Sequence, residues 1–147
     1  LAGYRAALIY GDPALVAPIV TARKHSGLMV PTPVQHAMAL ALGDTEHVSA
    51  QRSVYEARRR LLLEALTRAG LDVDPASAAG LYLWVADPGA PQDSWALVDR
   101  FARLGILVAP GDFYGAAARG RVRVALTATD ERIAAAATRI ASEWQGR

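Results

Sequence analysis

The sequence predicts an α+β fold, and three observations predict it. Apolar residues recur at helical spacing up to about residue 70, then give way to short apolar runs that alternate with helical stretches. The late segment 121–127 (RVRVALT) alternates apolar and polar with a period of two, as a half-buried strand does. Across 147 residues, 52% are hydrophobic and 20% charged, which is the balance of a chain that builds a core rather than a disordered one.

In chain order, residues 1–10 read as a buried strand, because Ala6, Ala7, Leu8, Ile9 and Tyr10 run unbroken to Gly11. Asp12-Pro13 is a helix start, with a capping carboxylate followed by a residue whose fixed φ suits the first turn. Leu15, Val16, Ile19 and Val20 give that helix one apolar face. Residues 25–31 form a loop of unusual apolar content. Thr32-Pro33 repeats the start signal, Val34, Met38, Ala41 and Leu42 give the face, and Gly43 ends it. Thr45 begins a longer helix, with Val48, Tyr55, Leu62, Leu66 and Ala69 on one side and Gly70 as its stop. Its run Arg58, Arg59 and Arg60 reads as a solvated face with partners one turn away, such as Glu56 for Arg60.

Beyond residue 70 the spacing predicts a strand at 81–86 and a helix at 94–104. That helix should turn Trp95, Val98 and Phe101 inward and stop at Gly105. Strands follow at 106–109, ending on Pro110-Gly111, and at 121–127. Thr129 caps a last helix, with Asp130 and Glu131 where the helix dipole favours negative charge. Ile133, Ala137, Ile140 and Trp144 are its apolar face. The chain thus divides into residues 1–44, the tail of one domain with a connecting helix, and 45–147, a small α+β domain. It opens without Met inside an apolar stretch, so further residues are expected before Leu1.

Several function classes are disfavoured. The formal charge is only +2, and the basic groups are fifteen Arg and one Lys with no run interleaved with aromatics, so nucleic acid is not the expected partner. Cysteine is absent, which excludes disulfides and thiolate metal sites and fits a cytoplasmic location. His25, His36 and His47 stand too far apart in sequence for ligand spacing, so no metal is expected. No apolar run approaches the roughly 18 residues of a membrane helix, and neither a signal peptide, a nucleophile elbow nor a phosphate-binding glycine motif occurs.

The strand at 121–127 carries the strongest candidate. Val122, Val124 and Leu126 share its core face. Arg121, Arg123, Ala125 and Thr127 share the other, where small residues leave room in front of a guanidinium. A carboxylate gripped by two parallel N–H···O bonds needs such room; an arginine on a wet sheet face would show the same pattern. In Gly3-Tyr4-Arg5, an arginine beside an apolar stretch calls for an anionic partner, a phosphate or a neighbouring Asp. Residues 109–115 (APGDFYG) form a Gly-rich, aromatic turn that could border a pocket or pack its rings tightly. Lys24, the one lysine, stands between Arg23 and His25 and reads as a surface residue.

Taken together, these pieces resemble the class I/II aminotransferases of fold type I, which depend on pyridoxal 5'-phosphate. Residues 1–5 (LAGYR) are similar to the segment after that family's Schiff-base lysine, 106–115 (ILVAPGDFYG) to its site-closing loop, and 121–127 (RVRVALT) to its carboxylate-binding strand. The stretches RKHSGLMVPTPVQHAM, GLYLWVADP and ILVAPGDFYG resemble in particular the branch that acts on N-succinyl-L,L-diaminopimelate in lysine biosynthesis. The resemblance implies that residues 1–44 end a large cofactor-binding α/β domain and that 45–147 are the small C-terminal domain. It implies that Arg5 contacts the cofactor phosphate, Arg123 binds the substrate α-carboxylate, and Tyr82 borders the substrate. It also implies a homodimer, with the loop 28–32 near the partner's site, and ping-pong transfer of an amino group from an amino acid to 2-oxoglutarate. The Schiff-base lysine is expected about eight residues before Arg5, upstream of Leu1, so the chain alone should be inactive. A β-lyase on the same scaffold, a non-catalytic binding domain, and a folded fragment remain the alternatives.

Overall fold

The computed structural model describes residues 2–27, 29–89 and 92–144. The chain divides into two compact units, Leu1–Ser49 and Ala50–Arg147.

In the first unit, helix α1 spans Pro13–His25 and α2 spans Thr32–Gly43. α1 begins where the sequence places it, whereas α2 begins one residue early: Pro31 is its N-cap, Thr32 is already helical, and no side chain caps it. The Asp12 carboxylate accepts from the Ala14 N–H at 2.8 Å, so one of the otherwise unpaired donors of the first turn is satisfied. Residues 1–10 are a correction. Instead of a buried strand, Ala2–Tyr4 is a short 3-10 turn, Arg5 adopts φ 55°, and Leu8, Ile9 and Tyr10 lie exposed outside regular structure. A strand forms only by pairing, and the first unit offers no strand among its described residues to pair with. The apolar face of α1 is likewise uncovered: Leu15, Ile19 and Val20 are exposed.

The second unit is α+β. Helix α3 (Thr45–Arg68) enters it and ends against Gly70, whose φ of 77° is the left-handed conformation that closes a helix. Strand β1 (Asp72–Val73) follows, then a 3-10 turn, Pro75–Ala78, and strand β2 (Tyr82–Ala86). Helix α4 (Ser94–Arg103), strand β3 (Ala109–Pro110), two 3-10 turns, strand β4 (Arg121–Ala125) and helix α5 (Asp130–Glu143) complete it. The four strands form one antiparallel sheet in the order β1-β2-β4-β3.

The sheet has one dry face. Leu83 and Val85 from β2 and Val122 and Val124 from β4 pack with Leu62 and Leu66 of α3, Leu97 and Phe101 of α4, and Ile133, Ala137 and Ile140 of α5. Phe101, Leu66, Val85 and Val122 are fully buried. Two expectations for this region change. Trp95 points outward and is half exposed. It stands in the first turn of α4, where Asp93 caps the Trp95 and Ala96 N–H groups at 2.9 and 3.1 Å, and its ring meets Phe113 edge-on at 5.7 Å. The strand expected at 106–109 shrinks to Ala109–Pro110. Ile106 N–H is spent on the Phe101 carbonyl, closing α4 through Gly105 at φ 66°.

The arginine run on α3 is not simply a solvated face. Arg58 Nε donates to Asp130 at 2.6 Å and its Nη1 to the Leu126 carbonyl at 3.0 Å, which ties α3 to the start of α5. Arg59 donates to the carbonyls of Ser77 and, at 2.6 Å, Gly80, fixing the approach to β2. Arg60 alone of the three is exposed. Arg58→Ala should therefore cost about 1–3 kcal/mol, read as a lower urea midpoint, whereas Arg60→Ala should fall within about 0.5 kcal/mol of the unmodified protein. Equal effects for the two would contradict this division of labour.

Candidate functional site

The face of the sheet away from the core is built by strand register. Across the β2–β4 ladder Trp84 stands opposite Arg123, Tyr82 opposite Ala125 and Ala86 opposite Arg121, while Ala109 of β3 flanks Arg123 from the other side. Residues directly opposite share a face. One patch of sheet therefore carries Tyr82, Trp84, Arg121 and Arg123.

The two arginines are differently placed. Arg121 lies near two carboxylates, Asp72 at 3.7 Å and Asp74 at 3.9 Å. Its Nη1 is buried without a hydrogen bond, but its charge is balanced by those neighbours. Arg123 makes no hydrogen bond or ion pair with any described residue, and its Nε is buried with no acceptor. Its guanidinium carbon lies 4.0 Å from the centroid of the Tyr82 ring and 5.2 Å from that of Tyr114. Both rings attract a cation through their negative faces. Trp84 meets Tyr114 edge-on at 5.4 Å. A cavity of about 340 Å³ adjoins the group, lined by Tyr82, Trp84, Arg123, Ser77, Gly80 and Leu81 among others.

Tyr114 comes from the turn that the sequence marked as a possible pocket border. The chain there runs through two 3-10 turns, Gly111–Tyr114 and Ala116–Ala118. Gly111 is buried, and a Cβ at that position would collide with the Ala118 carbonyl, so only glycine lets the two turns close on each other. Buried Ser94 accepts from Gly120 N–H at 3.0 Å and anchors the far end.

The expected site residues are partly brought together. Tyr82 and Arg123 are in contact. Arg5 belongs to the first unit; it is exposed, in a left-handed turn, with no partner among the described residues. Lys24 is exposed in the last turn of α1. Leu28, in the loop expected near a partner subunit, lies outside the described residues. Tyr114 and Trp84 were not singled out from sequence, although Trp84 follows Tyr82 by two positions and so had to share its face. No group of three or more His, Cys, Asp or Glu gathers for a metal among the described residues, and no helix among them is long and apolar enough to cross a membrane.

A charged group with a buried, unpaired nitrogen lowers stability unless a ligand completes it. Arg123→Met should thus change the unfolding free energy by less than about 1 kcal/mol, the lost cation–π attraction being offset by relief of desolvation. A loss above about 2 kcal/mol in chemical denaturation would reveal a protein partner for Arg123.

The chain is similar to proteins of one known family. The family described as aminotransferase class I and II matches residues 1–140. The chain is 55% identical over 140 residues to the 4-dedimethylamino-4-oxo-anhydrotetracycline transaminase of Streptomyces rimosus, covering 95% of this chain and 38% of that protein. It is 32% identical over 143 residues to the LL-diaminopimelate aminotransferase of Oleidesulfovibrio alaskensis, covering 97% of this chain and 37% of that one. A tetra-mutant aspartate aminotransferase of Thermus thermophilus superposes with a TM-score of 0.71 at 31% identity, over 89% of this chain and 36% of that one. The chain therefore spans little more than a third of the length of these relatives.

Proposed function

The chain belongs to the class I and II aminotransferases, and from that membership we propose that it is the C-terminal part of a transaminase, with Arg123 as its grip on the substrate α-carboxylate. The observation that carries the reading is the guanidinium of Arg123, which has aromatic faces around it and no acceptor among the described residues. Two parallel N–H···O bonds to a carboxylate would satisfy it and fix the orientation of the Cα–H bond, a positioning role. Tyr82 would border the bound substrate, since its ring already lies against that guanidinium.

The family uses pyridoxal 5'-phosphate. Arg5 suits its phosphate, being a cation without a described partner on a tight turn. Lys24 does not suit the lysine role, because it stands exposed on the end of α1. When bound, the cofactor supplies the electron sink for bond breaking at Cα. What the residues here contribute is binding and orientation. The proton-moving lysine and the ring-binding groups would have to come from residues outside this chain, and residues 1–44 would end the large domain that holds them.

For the whole protein we propose a cytoplasmic homodimer that moves an amino group from N-succinyl-L,L-diaminopimelate, or a related amino acid, to 2-oxoglutarate. The similarity to an LL-diaminopimelate aminotransferase supports this donor class. The similarity to the Streptomyces enzyme supports a second reading, with an oxo-anhydrotetracycline as amino acceptor. Supplying each pair of substrates to the full-length protein and following amino-group transfer by mass spectrometry separates the two.

In the full-length protein, Arg123→Ala should raise KM for both the amino acid and the oxo acid by at least about tenfold, from loss of charge-assisted bonds of about 1.5–3 kcal/mol. Unchanged KM values would end the carboxylate reading. The 147-residue chain alone should show no amino transfer, and reduction with borohydride in the presence of the cofactor should leave Lys24 without a stable adduct beyond that of a surface amine. Turnover with specific trapping on Lys24 would overturn the division of labour.

A further inference from the structure

A long, flexible arginine with no acceptor among the described residues needs something to hold it in place. We infer that Tyr114 is a positioning residue for Arg123, confining the guanidinium beside Tyr82 so that its free N–H groups meet the incoming carboxylate. This inference rests on the carboxylate reading of Arg123 and adds to it a residue that touches Arg123 rather than substrate.

Four observations carry it. The Tyr114 ring centroid is 5.2 Å from the guanidinium carbon, within reach of a cation–π attraction. The ring is itself braced: Trp84 meets it at an interplanar angle of 82°, and Trp84 sits directly opposite Arg123 in the β2–β4 ladder. The turn bearing Tyr114 has little freedom. Gly111 packs against the Ala118 and Arg121 carbonyls with no space for a Cβ, Gly115 holds φ 101°, and Ser94 ties down Gly120. Finally, the Tyr114 hydroxyl makes no hydrogen bond with a described residue, so the ring, and not the oxygen, is what the arrangement uses. Tyr114 is half exposed and lies outside the buried core, so the fold does not require it for packing.

The geometry makes a specific demand: an aromatic face at position 114. The test uses the full-length protein loaded with its cofactor, and maleate as an unreactive carboxylate probe, titrated by calorimetry. Tyr114→Leu should weaken maleate binding roughly two- to thirtyfold. KM for both the amino and the oxo acid should rise by a similar factor, with a smaller change in kcat. Tyr114→Phe, which keeps the ring, should recover most of the affinity. Thermal melting of each variant separates this effect from unfolding; if Tyr114→Leu melts early, Tyr114→Met repeats the comparison with a side chain of greater length and no π face. Unchanged maleate affinity in a folded Leu or Met variant, or a Phe variant as weak as Leu, would overturn the inference. Arg123→Leu is the control for the reading beneath it. If that variant loses maleate while Tyr114→Leu does not, only the role of Tyr114 falls; if Arg123→Leu binds maleate normally, the carboxylate grip itself is wrong.

Discussion

The register of β4 against β2 is the constraint on which the second unit depends. With Val122 opposite Val85 and Val124 opposite Leu83, four aliphatic side chains enter the core, and Trp84 falls opposite Arg123 on the other face. A slip of one residue would exchange the two faces, driving two guanidinium groups into the contact with Phe101 and Leu66 and leaving the valines in water. The burial of the core and the assembly of the site are therefore one choice of alignment. The helices enforce it from the dry side, and the clamps of Arg58 on Leu126 and of Arg59 on Gly80 hold the chain at the far end of β4 and the entry to β2.

Much of this was legible because it is local. Asp12-Pro13 and Gly70 are punctuation whose physics acts within one turn of helix, and α1 starts and α3 stops there; at Thr32-Pro33 the proline sits in the first turn of α2 as expected, but Thr32 does not cap it. The alternation in β4 was legible because a period of two needs no knowledge of the partner strand. What was not legible depends on partners far away in sequence. Whether residues 1–10 form a strand is decided by the presence of another strand to bond, which their own apolar character does not reveal. Whether Trp95 faces inward depends on the competition between the core and Phe113, from a turn eighteen positions later. The arginines of α3 look alike in sequence, and only the arrival of Asp130 and of the Ser77 and Gly80 carbonyls distinguishes Arg58 and Arg59 from Arg60.

The two units differ in how they are held. The second has a contiguous core. The first has no fully buried side chain among its described residues, although Leu8, Ile9, Leu15, Ile19, Leu40 and Leu42 are all apolar and exposed. Helices of twelve or thirteen residues are marginal in water on their own, and most of a helix's stability in proteins comes from covering an apolar face. The Asp12 cap and the first-turn prolines set where α1 and α2 begin, but they do not supply that cover. The second unit, by contrast, carries its own dry interior.

Arg121 and Arg123 show how two like charges on one strand can take different roles. They sit two positions apart on one strand and one face, with the same side chain and the same intrinsic charge. Arg121 stands near Asp72 and Asp74, and such an arrangement is already balanced. Arg123 has rings where the carboxylates would be. An aromatic face attracts a cation and restrains it without occupying its N–H groups. A carboxylate in the same place would have balanced the charge, as Asp72 and Asp74 do for Arg121. The substitution of π faces for acids around one of two otherwise equivalent arginines is thus what separates a structural charge from a receptive one. Both arginines keep a buried nitrogen without a hydrogen bond among the described residues, but only Arg121 has carboxylates of those residues close enough to balance its charge, so a bound anion has more to complete at Arg123.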